Sequence, residues 1–145
     1  MANVIVVQQA DNSVHVVYTA ASTLSLDEII LRRFADSDAT YTIVDNDVLP
    51  AQTVFFNAWV YDETYGAIVD VSRAKDIAHN IRRDARTEEM KPYDDIIAKQ
   101  IPGEDAVAAE SQRAVLRTKY ATKQTEIDNA TTAEQLQSIV EELIA

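Results

Sequence analysis

Along the first 70 residues, apolar and polar positions alternate in short runs broken by turn formers; beyond them, apolar residues recur at helical spacing. Residues 4–7 are a β-branched run, and Val14, Val16 and Tyr18 alternate with His15 and Val17. Ala10-Asp11-Asn12-Ser13 between them predicts a turn, hence a β-hairpin. Ser25-Leu26-Asp27-Glu28 matches a capping box, in which the serine and the glutamate satisfy each other's backbone amides. Ile29, Ile30 and Phe34 follow at helical spacing, predicting a short helix to about Ala35 that Asp36-Ser37-Asp38 ends. Residues 41–44 read as a strand, Asp45-Asn46-Asp47 as a turn, and Leu49-Pro50 as extended, because proline drives its predecessor out of the helical region. Residues 54–61 and 67–69 flank Asp62-Glu63-Thr64-Tyr65-Gly66, which predicts a second hairpin with Gly66 at a positive-φ position.

The period changes at residue 71, with Asp70 or Ser72 as the expected cap. Ala74, Ile77, Ala78, Ile81 and Ala85 share one helical face, while Arg82, Arg83, Asp84, Glu88 and Glu89 are expected elsewhere. Pro92 deprives Glu88 of a backbone hydrogen bond, so a kink or break is expected near Met90. Tyr93, Ile96, Ile97 and Ile101 resume the stripe before Pro102-Gly103 reverses the chain. A second helix from near Glu104 aligns Ala109, Leu116, Tyr120 and Ile127. Thr131-Thr132-Ala133-Glu134 reads as another capping box, opening a helix striped by Leu136, Ile139, Val140 and Leu143.

The expected fold class is therefore α+β. A small β-rich head at residues 1–70, with two hairpins and a short helix, precedes a coiled-coil-like region at 71–145: a long helical hairpin and a short C-terminal helix. The helical stripes are thin. Two such helices of ~25 residues bury little by themselves, so they must pair, self-associate or dock on a partner.

Charge narrows the classes of partner. The chain of 145 residues has a net charge of −11, and up to Asp70 ten acids face only Arg32 and Arg33. Such a head repels phosphate backbones and anionic lipid, which disfavours nucleic-acid and membrane binding. The chain has no cysteine, which excludes disulfides and thiolate metal sites. No apolar run approaches the ~18 residues that a membrane span requires, and the N-terminus lacks the basic start of a signal peptide.

Candidate chemistry is sparse, and neither a catalytic nor a cofactor or metal site is expected. Asp36-Ser37-Asp38 and Asp45-Asn46-Asp47 do not continue into a calcium loop and read as turn formers. His15 and His79 lack the further ligands that zinc requires. Two glycines, Gly66 and Gly103, are too few for a phosphate-cradling loop or a nucleophile elbow. Arg82, Arg83 and Arg86 cluster on the first long helix, and Arg113, Arg117 and Lys119 on the second. Interleaved Asp84, Glu88, Glu89 and Glu110 favour ion-paired or solvated faces, with pairing to a partner's acids as the alternative. Five of the aromatics, Phe55, Phe56, Trp59, Tyr61 and Tyr65, concentrate in the second hairpin. Phe55 or Phe56 and Trp59 suit the core, and outward members, above all Tyr61 and Tyr65, suit a binding surface.

Several segments form an ordered series: Ile43-Val44-Asp45-Asn46-Asp47-Val48-Leu49-Pro50, Phe56-Asn57-Ala58-Trp59, Ile68-Val69-Asp70 and Ala74-Lys75-Asp76. Ile81-Arg82-Arg83-Asp84-Ala85-Arg86, Tyr93-Asp94, Ala114-Val115-Leu116-Arg117 and Thr131-Thr132-Ala133-Glu134-Gln135-Leu136 continue it. The series resembles small proteins encoded in the tail modules of tailed bacteriophages, among them tail assembly chaperones and tail-fibre-associated proteins. That resemblance implies a non-enzymatic protein that binds the tail fibre or baseplate, as an assembly chaperone or as a structural adaptor retained in the virion. Its location would be the virion tail, or the host cytoplasm during assembly. Trp59, Tyr61 and Tyr65 would then be the head's partner-binding residues, and Ile77, Ile81, Leu116 and Tyr120 would clamp a partner coil in a hetero-complex or a self-associated form. An acidic phage-encoded regulator or inhibitor of a host protein is the alternative class.

Overall fold

The structure, a computed structural model, describes residues 3–19, 23–34 and 38–145. The chain forms two compact units, residues 1–70 and 71–145. It is α+β, with antiparallel strands first and long helices after them.

In the first unit, β1 (Asn3–Gln8) lies between β2 (Val14–Tyr18) and β3 (Tyr41–Asp45), both antiparallel to it. The β1–β2 turn is the expected one. Asn12 takes φ +67°, Gln8 Nε2 donates to Asn12 Oδ1 at 2.7 Å, and Asp11 Oδ1 accepts from the Ser13 amide at 3.0 Å. As the central strand, β1 must bury both faces, which accounts for its unbroken β-branched run. Val4 and Val6 point to a cluster with Val14, Trp59 and Ala67, while Ile5 points the other way, to Val17 and Ile29.

The second face is covered by α1 (Leu26–Phe34), opened by the predicted capping box. Ser25 Oγ accepts from the Glu28 amide at 3.2 Å, and Glu28 Oε2 accepts from the Ser25 amide at 3.1 Å. Phe34 stacks on Tyr41 of β3 with ring centroids 4.9 Å apart. Ala35, Asp36 and Ser37, on which the expected helix stop fell, lie outside the described residues.

The first face is covered by the hairpin of β4 (Trp59–Asp62) and β5 (Gly66–Val69). Its expected first strand is shorter than the sequence pattern indicated. Residues Thr53–Ala58 form 3-10 turns instead, which bury Phe55 and Ala58 and leave Phe56 exposed. A run of apolar residues cannot distinguish a strand from a tight helical turn, and here the turn delivers Phe55 inward. Asp62 Oδ1 accepts from the Thr64 and Tyr65 amides at 2.9 and 2.8 Å, closing the hairpin. Gly66 has φ +80°, and a Cβ there would lie 2.8 Å from Val6 Cγ2 and 3.0 Å from Val44 Cγ2. Both backbone conformation and close approach to the sheet require glycine at this position.

In the second unit, α2 (Val71–Ala98) and α3 (Glu104–Asn129) form an antiparallel hairpin, and α4 (Ala133–Ile144) folds back chiefly onto α2. α2 begins directly after Asp70, so Ser72 is already inside it. Of the kink or break expected near Met90, the break does not occur. α2 runs unbroken through Pro92, whose exposed ring sits on the outer side while Met90 stays buried. The last capping box also differs by one residue from expectation. Thr132, not Thr131, accepts from the Gln135 amide at 3.2 Å, and Gln135 Oε1 rather than Glu134 returns the bond to the Thr132 amide at 3.3 Å.

Among the described residues, the buried positions on α3 are the four predicted, Ala109, Leu116, Tyr120 and Ile127; on α4 they are Ala133, Leu136, Val140 and Leu143. On α2 they are Ala74, Ala78, Arg82 and Met90, so Arg82 belongs to the inner side that the charge pattern denied it. Ile77 and Ile81 are only half-buried. Alanines on α2 let the helices approach closely, and larger residues of α3 and α4 fill the space between them.

Candidate functional site

Most expected partner-binding residues are already covered by the chain itself. Trp59 belongs to the core of the first unit, and Tyr61 packs half-buried against the same cluster. Leu116 and Tyr120 are buried within the helical unit, Tyr120 with 1% of its surface exposed. Of the head candidates only Tyr65 stands clear, 55% exposed at the β4–β5 turn. The thin stripes are therefore not unsatisfied along their whole length, because α4 completes part of them.

That completion stops partway along the hairpin. α4 runs back antiparallel to α3, and Glu142, near its end, reaches Lys123. Between α2 and α3, His79 faces Asp128, Glu89 faces Lys119, and Asp94 faces Arg113. These pairs place α4 beside the α2 residues before about 85, and the remaining half of the hairpin has two helices without the third. In that half Tyr93, Ile96 and Ile97 are half-buried, while Ile101 and Val107 are 66% and 69% exposed and Val115 is also open. The Pro102-Gly103 reversal, with Gly103 at φ +143°, holds Ile101 near this end. Its outer surface has a cleft of about 430 Å³ lined by Ile96, Lys99, Ile101, Pro102, Gly103 and Asp105.

The charged groups divide in an unexpected way. The α3 cluster behaves as ion-paired surface. Arg113 Nη1 and Arg117 Nη2 donate to Glu110 at 2.7 and 2.6 Å, Arg113 Nε lies 2.8 Å from Asp94, and Lys119 donates to Glu89 at 2.6 Å. Glu89 also accepts from the Tyr120 hydroxyl at 2.5 Å. Its carboxyl is held below the usual range, first by Lys119 and then by Tyr120, while burial and the facing carboxylate push the Tyr120 phenol well above its own. Glu110 is lowered as well, chiefly by Arg117.

The α2 cluster has no such partners. Arg83 Nη1 donates only to the Asn80 amide oxygen at 2.9 Å, and neither Arg82 nor Arg86 lies within ion-pair distance of a carboxylate among the described residues. Arg82 keeps 8% of its surface exposed. Its Nε donates to His79 Nδ1 at 3.3 Å, and His79 Nε2 meets Asp128 Oδ1 at 2.8 Å. An imidazole that accepts at Nδ1 must carry its proton on Nε2, so the chain runs Arg82 to His79 to Asp128.

Asp45 turns its carboxylate to the Asp47 amide at 3.0 Å, and among the described residues no three histidines, cysteines or acids gather as a metal site. His15 is exposed on β2 of the first unit, and His79 lies on α2 of the second.

No family model, curated protein or solved structure matches this chain.

Proposed function

We propose that the chain is a non-enzymatic bacteriophage tail protein that binds the tail fibre or baseplate, as an assembly chaperone or as an adaptor retained in the particle. The tail assignment rests on the resemblance of the ordered segments between Ile43 and Leu136. The binding role is carried by one observation: the half of the α2–α3 hairpin beyond α4 exposes Ile101, Val107 and Val115 with no third helix against them. Exposed aliphatic side chains in this half of the unit suit apolar contact with a coil from a partner. The contact region thus lies at the far end of the hairpin rather than at Leu116 and Tyr120.

The test is co-expression with the fibre and baseplate polypeptides of the same tail module, followed by co-purification. Capture of one of them should be lost in an Ile101→Asp/Val107→Asp double variant and kept in Tyr65→Ser. Capture of none, or capture indifferent to the double variant, overturns the reading. Mass spectrometry of purified particles then separates a stoichiometric adaptor from a chaperone left behind.

A further inference from the structure

Arg82, Arg83 and Arg86 of α2 and Arg117 of α3 line a single cleft of about 560 Å³, together with Thr87, Tyr120, Ala121 and Gln124. One of these four arginines, Arg117, is paired within the chain, and the other three meet no carboxylate within ion-pair distance among the described residues. Glu110 holds Arg117 and Arg113, Glu89 holds Lys119 and Tyr120, and Asp128 holds His79. Thr87 Oγ1 is turned back to the Arg83 carbonyl at 3.0 Å. The cleft is thus lined by guanidinium groups in excess of the carboxylates that touch them.

Arg82 distinguishes this cluster from an ordinary solvated face. A cation more than nine-tenths buried is costly unless an opposite charge meets it. Its Nε is fixed on His79, which leaves the two terminal amino groups as its free donors at the cleft. Fixing Nε orients the planar fork, and a fork held in place loses little freedom when it grips a carboxylate or phosphoryl group through two parallel bonds. Arg83 and Arg86 stand one and four residues further along the same helix, exposed and within reach of the same space.

We infer that the Arg82–Arg83–Arg86–Arg117 cleft is a binding site for a multiply charged oxyanion, either a phosphoryl group or a pair of neighbouring carboxylates. A single carboxylate would leave the cluster in excess positive charge. The site goes beyond the tail assignment and does not depend on it, because it lies on side chains other than the exposed aliphatic ones.

Calorimetric titration of the full chain at low ionic strength tests this, with pyrophosphate in one arm and a triglutamate peptide in the other. The side-chain Nε–H signals of Arg82, Arg83, Arg86 and Arg117 are followed in parallel by NMR. Saturable binding of at least one probe is expected, with those signals shifting, and Arg86→Gln should weaken it about tenfold through loss of one charge-assisted contact. Arg83→Gln should act in the same direction, while Lys99→Gln, an equal change of charge outside the cleft, should leave affinity unchanged. Which arm binds tells whether phosphoryl or carboxylate oxygen is the ligand. Arg86 and Arg83 are exposed, so their variants keep the test open even where Arg82→Gln fails to fold. No saturable binding in either arm, or equal weakening by Arg86→Gln and Lys99→Gln, overturns the inference.

Discussion

The two units solve the same burial problem with opposite materials. The head closes around one strand whose successive residues Val4, Ile5 and Val6 enter two separate apolar clusters. The helical unit closes around α2, which contributes two alanines, a methionine and an arginine to the inside. In the head, large side chains on the central strand make the core. In the helical unit, small ones permit close approach and the neighbours fill in. The first arrangement is sensitive to what is removed, the second to what is added.

Substitutions of opposite sense sharpen this contrast most strongly. Ile5→Ala should destabilise the head by about 2–5 kcal/mol, since a fully buried aliphatic side chain leaves a cavity that flanking strands cannot collapse into. Ala78→Leu should cost about 1–3 kcal/mol by forcing α2 away from its neighbours, although it adds apolar surface. Urea denaturation followed by far-ultraviolet circular dichroism gives both values. A neutral Ala78→Leu would show that the seam is loose and would break the comparison.

Pro92 provides the next largest effect, in the opposite direction. It lies inside α2, where it cannot donate to the Glu88 carbonyl, yet the helix continues to Ala98. Replacing it with alanine restores a donor and relieves the ring's crowding, while losing the restraint that proline places on the unfolded chain. A net gain of roughly 2 kcal/mol is expected, seen as a raised melting temperature. Unchanged stability would mean that the far half of the hairpin is already frayed in solution.

Sequence patterns disclosed the elements better than their inner faces. Both hairpins, the short capped helix, the Pro102-Gly103 reversal and the α3 and α4 stripes were readable because each depends on local chemistry. Pairing of β3 with β1 was not readable, since nothing local joins strands so far apart. Arg82 was misplaced because charge alone assigns arginine to solvent, whereas its burial depends on His79 and Asp128, one on its own helix and one far along α3. Pro92 misled for a related reason: packing holds a helix through a residue that would end it in isolation. The thin-seam argument overlooked α4, whose stripe completes one half of the hairpin and leaves the other half to carry the candidate contact.

The smallest effect concerns the polar contacts that join α2 to α3. The Glu89 carboxyl titrates below its ordinary value of 4.5 because Lys119 and Tyr120 donate to it. Its contribution is therefore complete above that pH and is lost as pH falls through the lower folded value, where the native state must accept a proton that it resists. Tyr120 acts at the other limit. Its folded phenol titrates above the ordinary value of 10.0, so its contribution is complete below that pH and is lost as pH rises toward the folded value. Stability of the helical unit should thus be flat between these limits and decline outside both. Glu89→Gln separates the two groups: it should remove part of the acid decline, and by deleting the charge that faces the phenol it should also move the alkaline decline. Glu89 and Lys119 are both partly solvated, so the acid effect should shrink with added salt. An acid limb unchanged by both Glu89→Gln and salt would assign that decline to other carboxylates, Glu110 first among them, whose pKa Arg117 also lowers.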